Sequence, residues 1–160
     1  MTKLRLTDWA SIAEVVGAFG IVISLIYVGI QVRDNTEEVR TTNRQQLIGR
    51  AHSATISVAT NPELAAAIAK LTNGETLTPV ELVQYGYLVR ALMYDVQEAF
   101  LLRKEERLDE NYWRTRSALF ESAMIQESAR RVYDRDKKSG VLNKDFVFWA
   151  DQKLDIVLDR

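Results

Sequence analysis

The sequence predicts an all-α protein: one N-terminal transmembrane helix continuing into a long helix, followed by a small helical bundle. Three observations predict it. Residues 15–32, VVGAFGIVISLIYVGIQV, make an unbroken run of 18 uncharged residues in a chain that is 27% charged. Two prolines and seven glycines in 160 residues are few for a turn-rich β protein. Several of them stand where helices begin or end: Asn61-Pro62, Asn73-Gly74, Thr78-Pro79 and Ser139-Gly140.

As a helix the uncharged run is roughly 27 Å long, near the roughly 30 Å of a bilayer's hydrocarbon core. Trp9 and Tyr27 are placed as interfacial aromatics, and Glu14 lies early enough to snorkel toward headgroups. Gly17, Gly20 and Gly29 suit a membrane helix better than a soluble one. A signal peptide fits poorly, because the apolar stretch is long and VGIQVRDNT offers no small-x-small cleavage site. Lys3 and Arg5 precede the run, whereas Arg33, Arg40, Arg44 and Arg50 follow it. That bias predicts a single-pass protein of the cell inner (plasma) membrane with its C-terminal part in the cytoplasm.

Between residues 31 and 60 there is no proline and only Gly49, so the helix is expected to run on to Thr60. The expected division is therefore 1–60, membrane helix and juxtamembrane extension, and 61–160, helical bundle. Asn61 caps a helix with Pro62 at its first position, and that helix stops at Asn73-Gly74. Thr78-Pro79-Val80-Glu81 reads as a capping box opening a long helix to about residue 106. This helix is apolar on most sides and is expected at the centre of the bundle. Its Gln84, Arg90, Asp95, Gln97 and Glu98 argue against a second membrane span. Leu108-Asp109 starts a further helix, and 130–138 another, broken by Ser139-Gly140. In the tail Phe146, Trp149, Ala150, Leu154 and Val157 share one helix face.

The stretch ISLIYVGIQVRDNT, with NPELAAAI, LTPVE and LDENYW after it, resembles a bacterial family of small single-span membrane proteins of unknown function. Its members typically read I-S-L-I-Y-L-A-x-Q-I-R-x-N-T near the N-terminus. This chain has Val28-Gly29 where Leu-Ala is commoner. The resemblance implies a membrane location and a helical architecture, and carries over no catalytic residue.

Composition narrows the chemistry. A formal net charge of -1 supplies no positive field for nucleic acid. No cysteine is present, and His52 is the single histidine. Thiol catalysis and multi-histidine metal sites within one chain are thereby excluded. No catalytic, cofactor-binding or metal-binding residue is assigned, and no enzyme activity is expected. Asp95 and Glu98, three residues apart on one helix face, have the form of an acid/base pair. The alternative expected of them is pairing with Arg114, Arg116, Arg130, Arg131 or Arg135.

The sharper pattern lies in the first helix. Ala10, Ala13, Gly17, Gly20 and Ser24 recur at spacings of three and four within an arc of about 80°, and Tyr27 and Gln31 prolong the seam. Small residues so arranged let membrane helices approach closely, which predicts a homo-oligomer interface. Beyond the membrane the seam turns polar through Asn35, Glu38, Thr42, Gln45, Gly49 and His52. With Gln31, that continuation supports an alternative: a homo-oligomeric channel with a lumen lined by Gln31, Asn35, Glu38, Thr42, Gln45 and His52. Arg33, Arg40 and Arg44 share another face and are expected to meet lipid headgroups or the surrounding bundle. The expected partners are thus the lipid bilayer and further copies of the chain. The leading reading is a scaffold or partner-binding module on a membrane anchor.

Overall fold

The computed structural model describes residues 6–158, with side chains at Trp9 and over residues 13–156. Six helices follow one another: α1 Leu6–Thr60, α2 Pro62–Thr72, α3 Pro79–Lys104, α4 Glu110–Met124, α5 Glu127–Lys138 and α6 Lys144–Leu158. No strand occurs among the described residues, and the all-α expectation holds.

The chain divides into two compact units, Met1–Val39 and Arg40–Arg160. This differs from the expected boundary after Thr60. The second unit takes in the last part of α1 because Leu47 is 1% exposed within the hydrophobic core and Asn43 is buried. In the first unit the apolar helix is bare. Phe19, Leu25 and Tyr27 are 65%, 67% and 61% exposed. Ala13–Thr60 contains a window long and apolar enough to cross a membrane, and none of that window is buried.

Local chemistry sets the helix ends of the second unit. The Asn61 side chain accepts from the backbone N–H groups of Glu63 and Leu64, starting α2. Glu75 N–H closes its end onto the Lys70 carbonyl with Gly74 at φ 75°, the left-handed conformation a glycine adopts without strain. The capping box of α3 is complete: Thr78 Oγ1 accepts from Glu81 N–H, and Glu81 Oε2 accepts from Thr78 N–H. Lys70 donates to the same Glu81 at 2.6 Å. These bonds hold the Glu81 carboxyl below its usual range, the Lys70 contact contributing most. Asp109 caps α4 through Tyr112 N–H.

α3 ends at Lys104, two residues before the expected stop, and the reason is backbone conformation. Glu106 takes φ 58° although it is not glycine, and Arg107 N–H bonds back to the Leu102 carbonyl at 2.8 Å. Lacking a glycine, this corner is marked in the sequence only by the Leu108-Asp109 helix start that follows it.

α3 lies at the centre, packed against α2, α4, α5 and α6. Met93, Val96 and Ala99 are fully buried along it, with Phe120 and Met124 of α4, Tyr133 of α5 and Phe146 and Ala150 of α6. Aromatic rings join the last helices: Phe120 lies 6.0 Å from Phe146 and 5.3 Å from Trp149, and Trp113 lies 4.9 Å from Trp149. The α6 face read from the sequence is the buried one, with Trp149 and Leu154 packed at its margin. The Val157 side chain falls outside the described residues.

Candidate functional site: an apolar groove with a buried ion pair

A groove of about 690 Å³ opens within the second unit, between the end of α1 and the faces of α3 and α4, with Ile68 of α2 also on its wall. Small side chains make the space: Ala51 and Ala54 on α1, Ala91 on α3 and Ala123 on α4. Its size lies within the roughly 300–1,000 Å³ of ligand-binding pockets. The groove is polar toward one end, where Arg50, Asp95, Glu98 and Arg116 contribute to the wall, and apolar along Val58, Ile68 and Leu88.

The Asp95–Arg116 pair is the electrostatic centre. Arg116 Nη1 stands 3.0 Å from Asp95 Oδ2, with the side chains 6% and 11% exposed. Arg116 Nη2 also donates to the Leu47 carbonyl at 3.2 Å and to the Tyr112 hydroxyl, and the guanidinium sits 4.8 Å from the Tyr112 ring centroid. Burial pushes the Asp95 carboxyl above its usual range, outweighing the opposing fields of Arg116 and Arg50. Two polar atoms of the pair, Asp95 Oδ1 and Arg116 Nε, are buried with no hydrogen-bond partner.

Of the five arginines expected to pair with Asp95 and Glu98, then, Arg116 does so with Asp95. The others are placed elsewhere. Arg130 donates to the Met124 and Ile125 carbonyls at 2.7 Å, Arg131 pairs with Glu127, Arg114 with Glu110, and Arg135 lies 3.6 Å from Asp136. Glu98 makes no ion pair among the described residues and borders the groove. Asp95 is bound through Oδ2 to a guanidinium, while Glu98 lies close enough for its charge to push the Asp95 carboxyl further up.

The arginine face of α1 is also drawn inward in part. Arg40 Nε donates to the Glu106 carbonyl at 2.9 Å, Asn43 Nδ2 to the Arg107 carbonyl at 3.1 Å, and Arg44 lies 3.9 Å from Asp109. Residues 40, 43, 44 and 47 thus grip the α3–α4 corner. Of the headgroup candidates, Arg40 and Arg44 meet the bundle, and Arg33, in the first unit, is 76% exposed. The signal for this grip was Leu47, an apolar residue at helical spacing from Asn43 and Arg40.

The seam residues Ala13, Gly17, Gly20, Ser24, Tyr27 and Gln31 are all exposed, and a Cβ built at Gly17 or Gly20 meets nothing within 4 Å. The Ala10 side chain lies outside the described residues. Asn35, Glu38, Thr42, Gln45 and His52 are exposed as well. No group of three or more metal-ligating side chains occurs among the described residues.

The fold and groove define a class: an all-helical chain with one long apolar N-terminal helix and a helical bundle carrying an apolar groove. Compared with known proteins, the chain matches no family model, no curated protein and no solved structure.

Proposed function

We propose that this chain is a non-enzymatic, single-span protein of the bacterial inner membrane, self-associating through its first helix and presenting the bundle to the cytoplasm as a scaffold or partner-binding module. One observation carries the membrane part. The apolar window of α1 is exposed along its length, with none of it buried. A helix apolar all round needs an apolar surrounding, and a water-exposed apolar surface of that length is uncommon in a soluble monomer. The arginines beyond the span favour a cytoplasmic C-terminal side. The commitment of Asp95 to Arg116 supports a binding module over acid/base catalysis.

Membranes from expressing cells, washed with alkaline carbonate, are expected to retain the full-length chain. Recovery of full-length protein in the soluble fraction without detergent overturns the membrane reading.

Self-association is read from the small-residue seam, where Gly17 and Gly20 have no steric reason within the chain to be glycine. Gly17→Leu and Gly20→Leu are expected to weaken cross-linked oligomers in detergent, while Val22→Leu, well away from the seam, leaves them unchanged. Equal oligomer distributions in all three variants remove the seam as interface. The oligomer number also decides the alternative reading, a channel whose lumen is lined by Gln31, Asn35, Glu38, Thr42, Gln45 and His52. That alternative draws support from the exposure of all six polar side chains. A dimer leaves no lumen and retires it.

A further inference from the structure

We infer that the outward face of α1 beyond its apolar window, formed by Thr42, Gln45, Gly49, His52 and Ile56, packs against the same face of a second copy of this chain. The contact rests on the self-association proposed above and extends it past the window. At about 100° per residue these five positions fall within an arc of about 80°. Asn43, Leu47, Ala51, Ala54 and Val58, buried or half-buried, fill an equal arc on the opposite side, toward the bundle. The bundle therefore leaves the outward face open. All five of its residues are exposed, and a Cβ built at Gly49 meets nothing within 4 Å.

Residues 41–60 call for packing if they are to stay helical. They are rich in Thr, Ser, Asn, His and Gly, which favour a helix weakly. They hold no Asp or Glu, so no ion pair along this stretch can support it. Arg44 and Arg50, its charged residues, fall about 80° outside the outward arc, one on either side. The face from Thr42 to Ile56 is thus roughly 21 Å long without a Lys, Arg, Asp or Glu, whereas a helix side turned to water ordinarily carries charge. Its chemistry selects a copy of itself. Copies inserted in one membrane by the same end lie parallel, so each residue meets its own counterpart. A carboxylate or an ammonium would meet its like charge there. Thr, Gln and a neutral imidazole each both donate and accept, and so can bond their own copy. Gly49, midway along, lets the two backbones approach. At the rim the hydroxyls of Ser53, Ser57 and Thr60 already donate to carbonyls four residues back, at 3.0, 2.9 and 2.8 Å, so covering them strands no donor.

The chain has no cysteine, so single cysteines in the full chain, oxidised with copper phenanthroline in membranes of expressing cells, report which side faces a copy. A disulfide requires Cα atoms roughly 4.4–6.8 Å apart, so facing positions cross-link and others do not. Dimers are expected from cysteine at 42, 45, 49, 52 and 56, and not from Ala51→Cys, Ala54→Cys or Val58→Cys on the bundle side. Gly49→Leu, which holds the backbones apart, should slow dimer formation by Gln45→Cys about tenfold. Helix content and core tryptophan fluorescence report that each variant is folded. Ser24→Cys reads the membrane seam separately. Cross-linking at Ser24→Cys with none at the five outward positions overturns this contact and leaves the membrane seam standing, and cross-linking at neither overturns both. Equal dimer yields on the two sides of the helix, or an unchanged rate in folded Gly49→Leu, also overturns the contact.

Discussion

Replacing Arg116 with Met is expected to destabilise the bundle by about 3–5 kcal/mol, the usual cost of leaving a buried ion without its partner. Asp95 would keep its carboxylate in a wall that already pushes its proton affinity up, and would lose the 3.0 Å contact that opposes this. The Leu47 carbonyl and the Tyr112 hydroxyl would lose a donor in the same step. Unfolding by urea in detergent, followed through Trp113 and Trp149 in a Trp9→Phe background, measures the change in the bundle alone. The double variant Asp95→Leu/Arg116→Met should recover most of the loss, because an apolar pair of similar volume leaves no charge to solvate. A loss of under about 1 kcal/mol in the single variant, the scale of an exposed ion pair, contradicts the burial assigned to this contact.

That pair also marks where sequence reading stopped. The capping residues Asn61, Thr78 and Asp109 and the glycines at 74 and 140 act locally, through bonds spanning two to five residues, so their effect is visible in a linear string. The apolar window of α1 and the buried face of α6 are periodic patterns and equally visible. By contrast, Arg116 meets Asp95 across 21 positions, and its choice over four other arginines depends on how α4 packs on α3. Glu106 turns the chain without the glycine that normally announces such a turn. The groove was illegible for a related reason. It is a space left by Ala51, Ala54, Ala91 and Ala123 facing one another, and small residues on separate helices signal nothing until the helices are brought together. Arg40 and Arg44 show the converse. Their shared face was legible, but the groups it meets, the Glu106 carbonyl and the Asp109 carboxylate, lie at a corner more than sixty positions away.

The second large effect is expected at the junction of α3 and α5. Arg90 grips Asp136 through two parallel bonds, Nε to Oδ2 and Nη2 to Oδ1, both 2.6 Å, and only 2% of the Asp136 side chain is exposed. The Arg90 hydrogen bonds hold the Asp136 carboxyl below its usual range, with Arg135 adding a smaller field in the same direction. Arg90→Met removes the grip and leaves Asp136 buried with Arg135 alone at 3.6 Å, at a cost of about 3 kcal/mol near neutral pH. The pH dependence has a definite sign. A carboxyl held below its unfolded value of about 3.9 contributes stability that is fully present above that pH and is lost as the pH falls through the folded value. In Arg90→Met the same carboxyl titrates higher, so protonation relieves the penalty instead. The stability difference between the two proteins should therefore be widest near pH 7 and should shrink below about pH 4, when measured by core tryptophan fluorescence across that range. A difference that stays constant into acid would mean that the Asp136 charge is not what Arg90 stabilises, and that the junction is held by its apolar contacts alone.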